Sequence, residues 1–416
     1  MTTRARAGQA GRDSGSGRDG QDRAPAPTPT PPPAPLPAPS VSGDWSDALR
    51  AVPRAHFLPD RIWPWDMDTG TATPADRRTD PLAWRRWAEA DVPIVTQWDD
   101  GRHTGDGPGQ VPTSSSTTPH LVAAMLDALN AEPGMRVLEI GTGTGWTTAL
   151  LAHRLGGRNV TSVEIDPDLA ETARARLRAA GHHPTVLTAD GTGIGHGPSS
   201  GPGPGPYDRI LSTVALRRVP PHLVAQLRPG GLLLAPWGTD YSHQDALLRL
   251  TGHADGTASG PFLRPLEFMK ARGQRTPDPR TEDYAPADWS AAGPPATTRL
   301  APQDLGTAPF APARWALGLA LPRTAHRLGR PCPGAHSGWW YSLTDRSWAA
   351  ASWQPDAPAK IWQGGPRKLW DQVESAWHWW DGNGRPAHDR YGLTVAPDGT
   401  HHPWLDTPDR PLPATH

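Results

Sequence analysis

Cysteine is almost absent from this 416-residue chain, where Cys332 stands alone. A single thiol excludes an internal disulfide framework and a cysteine-built zinc site, and it fits a reducing cytoplasm. Net charge is nearly absent too: 41 basic and 42 acidic residues leave −1, with both signs interspersed. That balance offers no electrostatic footprint for nucleic acid or an anionic membrane. Long apolar runs are missing. LLLAPW at 232–237 is among the longer ones, against the ~20 residues of a membrane span. The opening MTTRARAGQAGRDSGSG lacks the apolar stretch of a secretory signal. Seventeen histidines show no ligand spacing, so no metal site is expected. These absences lead us to expect a cytoplasmic, monomeric protein without metal.

The chain is instead rich in proline (51), glycine (44) and tryptophan, with 20 Trp against four Phe. Residues 1–43 run from Gly/Ser/Arg/Asp into APAPTPTPPPAPLPAPS and read as a disordered tail. Order is expected from Asp44, an N-cap for a short helix that stops near Pro53. Residues 61–110 read as irregular. From 119 onward apolar periodicity alternates between helix and strand: a helix at 119–129, then strands at 135–140, 159–165, 184–189, 207–215 and 231–238, with helices at 146–155, 167–181 and 219–227 between them. Such alternation predicts a doubly wound α/β sheet. A hairpin-like stretch at 246–269 ends the first domain, set at 44–272. A linker at 273–309 leads to a smaller, Trp-rich C-terminal α+β domain at 310–416. There RWALGLAL reads as a strand, PRKLWDQVESAWHWW as a helix, and the last residues as a hairpin turning at Asp398–Gly399.

VLEIGTGTGW carries the most information. Gly141, Gly143 and Gly145 follow a buried strand and open a helix, so backbone approaches a ligand with no side chain between them. The dinucleotide fingerprint is G-x-G-x-x-G. Here the spacing is G-x-G-x-G, with Glu139 ahead of it in the strand, which is similar to the first motif of S-adenosylmethionine-dependent methyltransferases. Glu164 ends the next strand, 23 residues after Gly141, where a carboxylate accepts both ribose hydroxyls. Asp190 and Gly191 follow the third strand, on the adenine side. The resemblance assigns cofactor contacts to Glu139, Gly141, Thr142, Gly143, Gly145, Trp146, Glu164, Ile165, Asp190 and Gly191.

Before this motif stands VPTSSSTTPH, six consecutive hydroxyls from Thr113 to Thr118 ahead of Pro119. Ser and Thr cap helices, and Pro favours the first helical position, but one cap needs one hydroxyl. Either the run is a polar loop or it lines a site. ALRAVPRAHFLP, SSSTTPHLVAAML, VLEIGTGTGW and VPPHLVAQLRPGG, in this order over roughly 44–270, resemble the protein-L-isoaspartate O-methyltransferase family. Aligned on Pro119–His120, the resemblance puts Thr117 near the transferred methyl, with Ser116 and Ser115 as its neighbours. Asp99, Asp100, His120, Arg217 and Arg218 are expected around the substrate.

Three features depart from that family: the Trp/Asp-rich stretch before the hydroxyls, Arg217–Arg218 in place of small residues, and the C-terminal domain. They resemble a divergent actinobacterial branch that accompanies ribosomally made modified peptides. That likeness implies a lanthipeptide or graspetide precursor as partner, an Asp side chain as methyl acceptor, and aspartimide or isoaspartate as product. General isoaspartate repair is the alternative, and a cofactor-binding scaffold without turnover is a third reading.

Overall fold

The computed structural model describes residues 43–193, 205–291, 293–332 and 334–413. The expected disordered tail, Gly43 aside, lies outside the described residues. The central sheet has nine strands in the order His401–Leu405, Tyr391–Val395, Ala258–Leu266, Asp245–Gly252, Leu227–Gly238, Tyr207–Ser212, Val137–Ile140, Val160–Glu164 and Thr185–Thr188. The last five run parallel, as helix crossovers require. Val137–Ile140 is buried at every position, which explains its uninterrupted apolar reading around Glu139. The helices Trp146–Leu155 and Pro119–Leu129 coincide with their predicted bounds. Pro167–Ala179 starts on Asp166, whose carboxylate accepts from the Asp168 and Leu169 N–H groups. It buries Ala170, Ala173 and Leu177.

Four local expectations change. The first helix begins at Gly43, so Asp44 lies inside it rather than capping it. Residues 61–110, read as irregular, form most of a second sheet: Thr71–Ala72, Arg61–Asp66, Ile94–Trp98 and Pro112–Ser116 in that order, with the helix Pro81–Glu89 packed beside it. RWALGLAL is a helix, Pro312–Ala320, not a strand, since a short apolar run does not separate the two. The terminal hairpin forms, but its Tyr391–Val395 strand pairs with Ala258–Leu266 of the central sheet. A third sheet, Ala296–Thr298, Ala359–Gly364, Trp348–Trp353, Ala335–Ser342 and Thr324–Cys332 in that order, carries the helix Leu369–Gly382.

Much of the tryptophan is core. Trp315 reaches the central sheet, edge-on to Phe262 at 4.9 Å and to Trp237 at 6.1 Å. Trp340 packs edge-on to Trp370 under the third sheet at 5.0 Å. Among the described residues no helix is long and apolar enough to cross a membrane.

Candidate active site

The glycine turn sits at the C-terminal end of Val137–Ile140, where α/β sheets place ligands. Gly141, Gly143 and Gly145 have φ of 94°, 53° and 90°, a region that L side chains rarely enter. A Cβ on Gly141 would lie 2.6 Å from Thr213 Oγ1, so that position needs glycine twice over. Thr142 turns inward and its hydroxyl meets Ser162 Oγ at 2.6 Å.

Glu164 closes the turn. One carboxylate oxygen accepts from Gly143 N–H at 2.8 Å and the other from Asp166 N–H at 3.1 Å. Burial raises its pKa, opposed by these two N–H groups and by Arg272. Each oxygen keeps a lone pair for a further donor. Ile165 is exposed beside it at the rim. Asp190 takes the Thr192 N–H and hydroxyl on one oxygen, each at 2.8 Å. Its other oxygen faces Gly273. Gly191 packs so closely on Ile140 that a Cβ would lie at 2.9 Å. Glycine backbone, a ribose-height carboxylate and Asp190 thus fit a nucleoside bearing an amino-acid tail.

Two expected cofactor residues face elsewhere. Trp146 is core, and its indole N–H donates to Val52 O at 2.9 Å. Glu139 is fully buried behind the turn, where Thr148 and Ser162 hydroxyls donate to one oxygen at 2.5 and 2.7 Å. Through Ser162 it props Thr142. Burial pushes its pKa from 4.5 to about 7, against those two hydroxyls. The folded state therefore holds a proton that the unfolded chain releases. Its stabilisation is complete below pH ~4.5 and is lost as pH rises through ~7, about 3 kcal/mol in all. Glu139→Gln is expected to flatten the fall in stability between pH 5 and 8, read as Tm against pH. An unchanged slope would place the titrating group elsewhere.

The hydroxyl run is neither loop nor cap. Thr118 holds the N-cap position, but its side chain takes no helix N–H; Asp91 accepts the His120 N–H at 2.9 Å instead. Residues 112–116 form a strand paired with Ile94–Trp98, and it crosses the glycine turn. Ser114 Oγ would lie 3.6 Å from a Cβ on Gly143, and Ser115 O at 3.9 Å. Ser116 Oγ is buried with no hydrogen-bond partner among the described residues. Such an orphan beside a ligand turn is where an acceptor group fits. Thr117 is half-buried, and its carbonyl accepts from Arg54.

Arg54 is what sequence reasoning missed most. Its five N–H donors meet five backbone carbonyls: Ala88 from Nε, Val92 and Thr117 from Nη1, Trp87 and Ala90 from Nη2, at 3.0 to 3.3 Å. Burial lowers its pKa from 12.5 to about 9, so it stays cationic at neutral pH. The guanidinium fork matches planar acceptors on all sides. It fixes the hydroxyl strand to the Pro81–Glu89 helix.

The expected substrate residues are largely occupied. Asp99 accepts from the Gln110 and Val111 N–H groups, which lower its pKa. Asp100 pairs with Arg272 and Arg275, each at 3.0 Å. His120 meets Asp91 at 2.5 Å. Arg217 is spent on Thr239 O and Asp240, while Arg218 is exposed. A belt sequence reasoning did not find joins the second sheet to the glycine-turn edge: Arg272 and Gln97 both reach Asp166, at 2.9 and 3.0 Å.

The family described as Protein-L-isoaspartate(D-aspartate) O-methyltransferase matches residues 106–273. A relative from Polaromonas sp., named protein-L-isoaspartate O-methyltransferase 2, is 36% identical over 157 residues, 38% of this chain and 71% of its own. Another with the family name, from Anaeromyxobacter dehalogenans, is 45% identical over 36% of this chain and 69% of its own. One from Ignicoccus hospitalis is 39% identical over 54% of this chain and 86% of its own. The chain belongs to the protein-L-isoaspartate O-methyltransferase family of S-adenosylmethionine-dependent carboxyl methyltransferases.

Proposed function

We propose that this protein methyl-esterifies an Asp side chain in a conformationally constrained, ribosomally made peptide, a lanthipeptide or graspetide precursor. The observation that carries the reading is the hydroxyl strand crossing the glycine turn, with Ser116 unpartnered. S-adenosylmethionine supplies an electrophilic methyl on a sulfonium. The chain's own residues bind, orient and exclude water. Gly141–Gly145 and Glu164 hold the donor, while Ser115, Ser116 and Thr117 aim the acceptor. A carboxylate is ionised at neutral pH, so its oxygen attacks the methyl without a general base. Positioning alone supplies up to roughly 7–11 kcal/mol. Hydroxyls steer a carboxylate without the tight ion pairing that would quench it.

Esterification then replaces a poor leaving group with methoxide. The next residue's amide nitrogen attacks the ester carbonyl, closes a five-membered ring and, losing its proton, expels methanol. Water reopens the ring to aspartate or isoaspartate. With a ring-constrained Asp precursor the expected product gains one methyl and then loses methanol. If only linear isoaspartyl peptides react, the protein is a repair enzyme. That second reading is favoured by the names of the relatives, which align over this same region.

Thr117→Ala is expected to slow methyl transfer roughly 10- to 100-fold, the weight of one hydrogen bond to a charged group, with S-adenosylmethionine affinity within about twofold. Single-turnover rates and calorimetric Kd values read the two effects separately. Unchanged turnover would return the run to a structural strand.

A further inference from the structure

A cavity of about 380 Å³ lies where the third sheet meets the central one. His243 and Gln244 reach it from the turn after Leu227–Gly238, and Glu267 from just beyond Ala258–Leu266. Phe310 and Arg314 come from the start of the Pro312–Ala320 helix, and His326 from the third sheet. The Arg314 side chain makes no hydrogen bond or ion pair among the described residues, and its Nε is buried without an acceptor. Its neighbours differ: Arg217 and Arg323 both pair with Asp240. His326 is stacked 4.5 Å from Tyr241 and lies 4.9 Å from Trp340, and its Nε2 is also buried and unpartnered. Burial and Arg314 together push its pKa from 6.5 to about 3, so it is neutral. Phe310 sits at a φ of 55°, strained for an aromatic residue. Arg314 is part-buried, and a guanidinium nitrogen shielded from water is costly unless an acceptor meets it.

We propose that this cavity is a second carboxylate subsite, taking an Asp or Glu side chain of the peptide substrate three or four residues from the methyl acceptor. The proposal rests on the peptide-methylation reading above. Strand order puts the turn carrying His243 two to three strands from the glycine turn, roughly 10–14 Å at about 4.8 Å per strand. An extended peptide covers that in three to four residues at ~3.3 Å each. Contacts run along the same edge to its wall: Ala215, at the exit of Tyr207–Ser212, bridges to Lys270, which pairs with Asp245 and donates to His243 O. Glu267 on the wall disfavours a phosphate dianion, so a singly charged carboxylate is the occupant.

The test uses the full chain and synthetic peptides with one acceptor, either isoaspartyl or ring-held Asp. A single Glu is moved one to six residues from the acceptor on either side, with Gln as control and phosphoserine as a third arm. Glu at three or four residues is expected to lower KM roughly 10- to 100-fold relative to Gln, with kcat unchanged. Phosphoserine should gain less. The Glu advantage should vanish in Arg314→Gln, whose fold is checked by its Tm and by its turnover of the Gln peptide. A flat KM across the series, a larger gain with phosphoserine, or a Glu advantage that survives in Arg314→Gln overturns the subsite. If no peptide turns over, the methylation reading fails instead. Fluorescence anisotropy of the Glu and Gln peptides with S-adenosylhomocysteine then still decides the subsite by the same difference.

Discussion

Glu164→Ala is expected to weaken S-adenosylmethionine binding at least roughly 100-fold. Two effects combine. In the proposed cofactor site the carboxylate offers two charge-assisted acceptors to a ribose diol, each worth about 1.5–3 kcal/mol. It also ties Gly143 N–H at 2.8 Å and Asp166 N–H at 3.1 Å, so its loss leaves two backbone donors searching and the turn loosened. Glu164→Gln keeps an acceptor but loses the charge, and should fall between wild type and Ala. Because the group is buried, salt should screen the difference little. Calorimetry with S-adenosylhomocysteine reads it without turnover. An affinity within about threefold of wild type would remove Glu164 from the cofactor site.

Arg54→Met should be the most damaging change outside the glycine turn. It keeps the apolar stem and removes the fork, taking a donor from each of five carbonyls, of which Trp87 O keeps the Ala90 N–H. A destabilisation of about 3–5 kcal/mol is expected, as when one partner of a buried charged cluster is removed. In a domain of this size that lowers Tm by roughly 10 °C. Turnover should fall further than stability explains, because Thr117 O is one of the five carbonyls and the adjoining Pro112–Ser116 strand carries the hydroxyls proposed to aim the acceptor. Arg54→Lys, a point charge with three donors, should rescue Tm in part and turnover less. Equal losses of both in the Met and Lys variants would mean that Arg54 supports only the fold.

The half of the site built by the central sheet was legible in the sequence because its order is local. The Val137–Ile140 strand, glycine turn and Trp146–Leu155 helix are consecutive, and their periodicity shows directly. Glu164 followed from the same βα repeat. The other half rests on pairing at long range. TSSS has no apolar alternation, so nothing in it announces a strand. It becomes one only because Ile94–Trp98 lies beside it. Arg54 was invisible for a different reason: its partners are carbonyls at 87–92 and 117, and a carbonyl has no residue identity to read. Asp99, Asp100 and Arg217 looked free as residue types, and the fold engages each of them internally. The hairpin at 391–405 was recognisable by its turn, but its docking on Ala258–Leu266 depends on a pairing more than a hundred residues away.

The most direct test of the central claim is the chemical nature of the transferred methyl. Full-length protein, S-adenosylmethionine carrying a labelled methyl, and a ring-constrained Asp peptide are incubated at neutral pH, and the product is brought to alkaline pH. One methyl per peptide is expected, released quantitatively as volatile methanol on base treatment, with the peptide left as aspartimide or its hydrolysis products. A label that stays on the peptide through base, as an N-methyl or ether would, contradicts methyl transfer to a carboxylate.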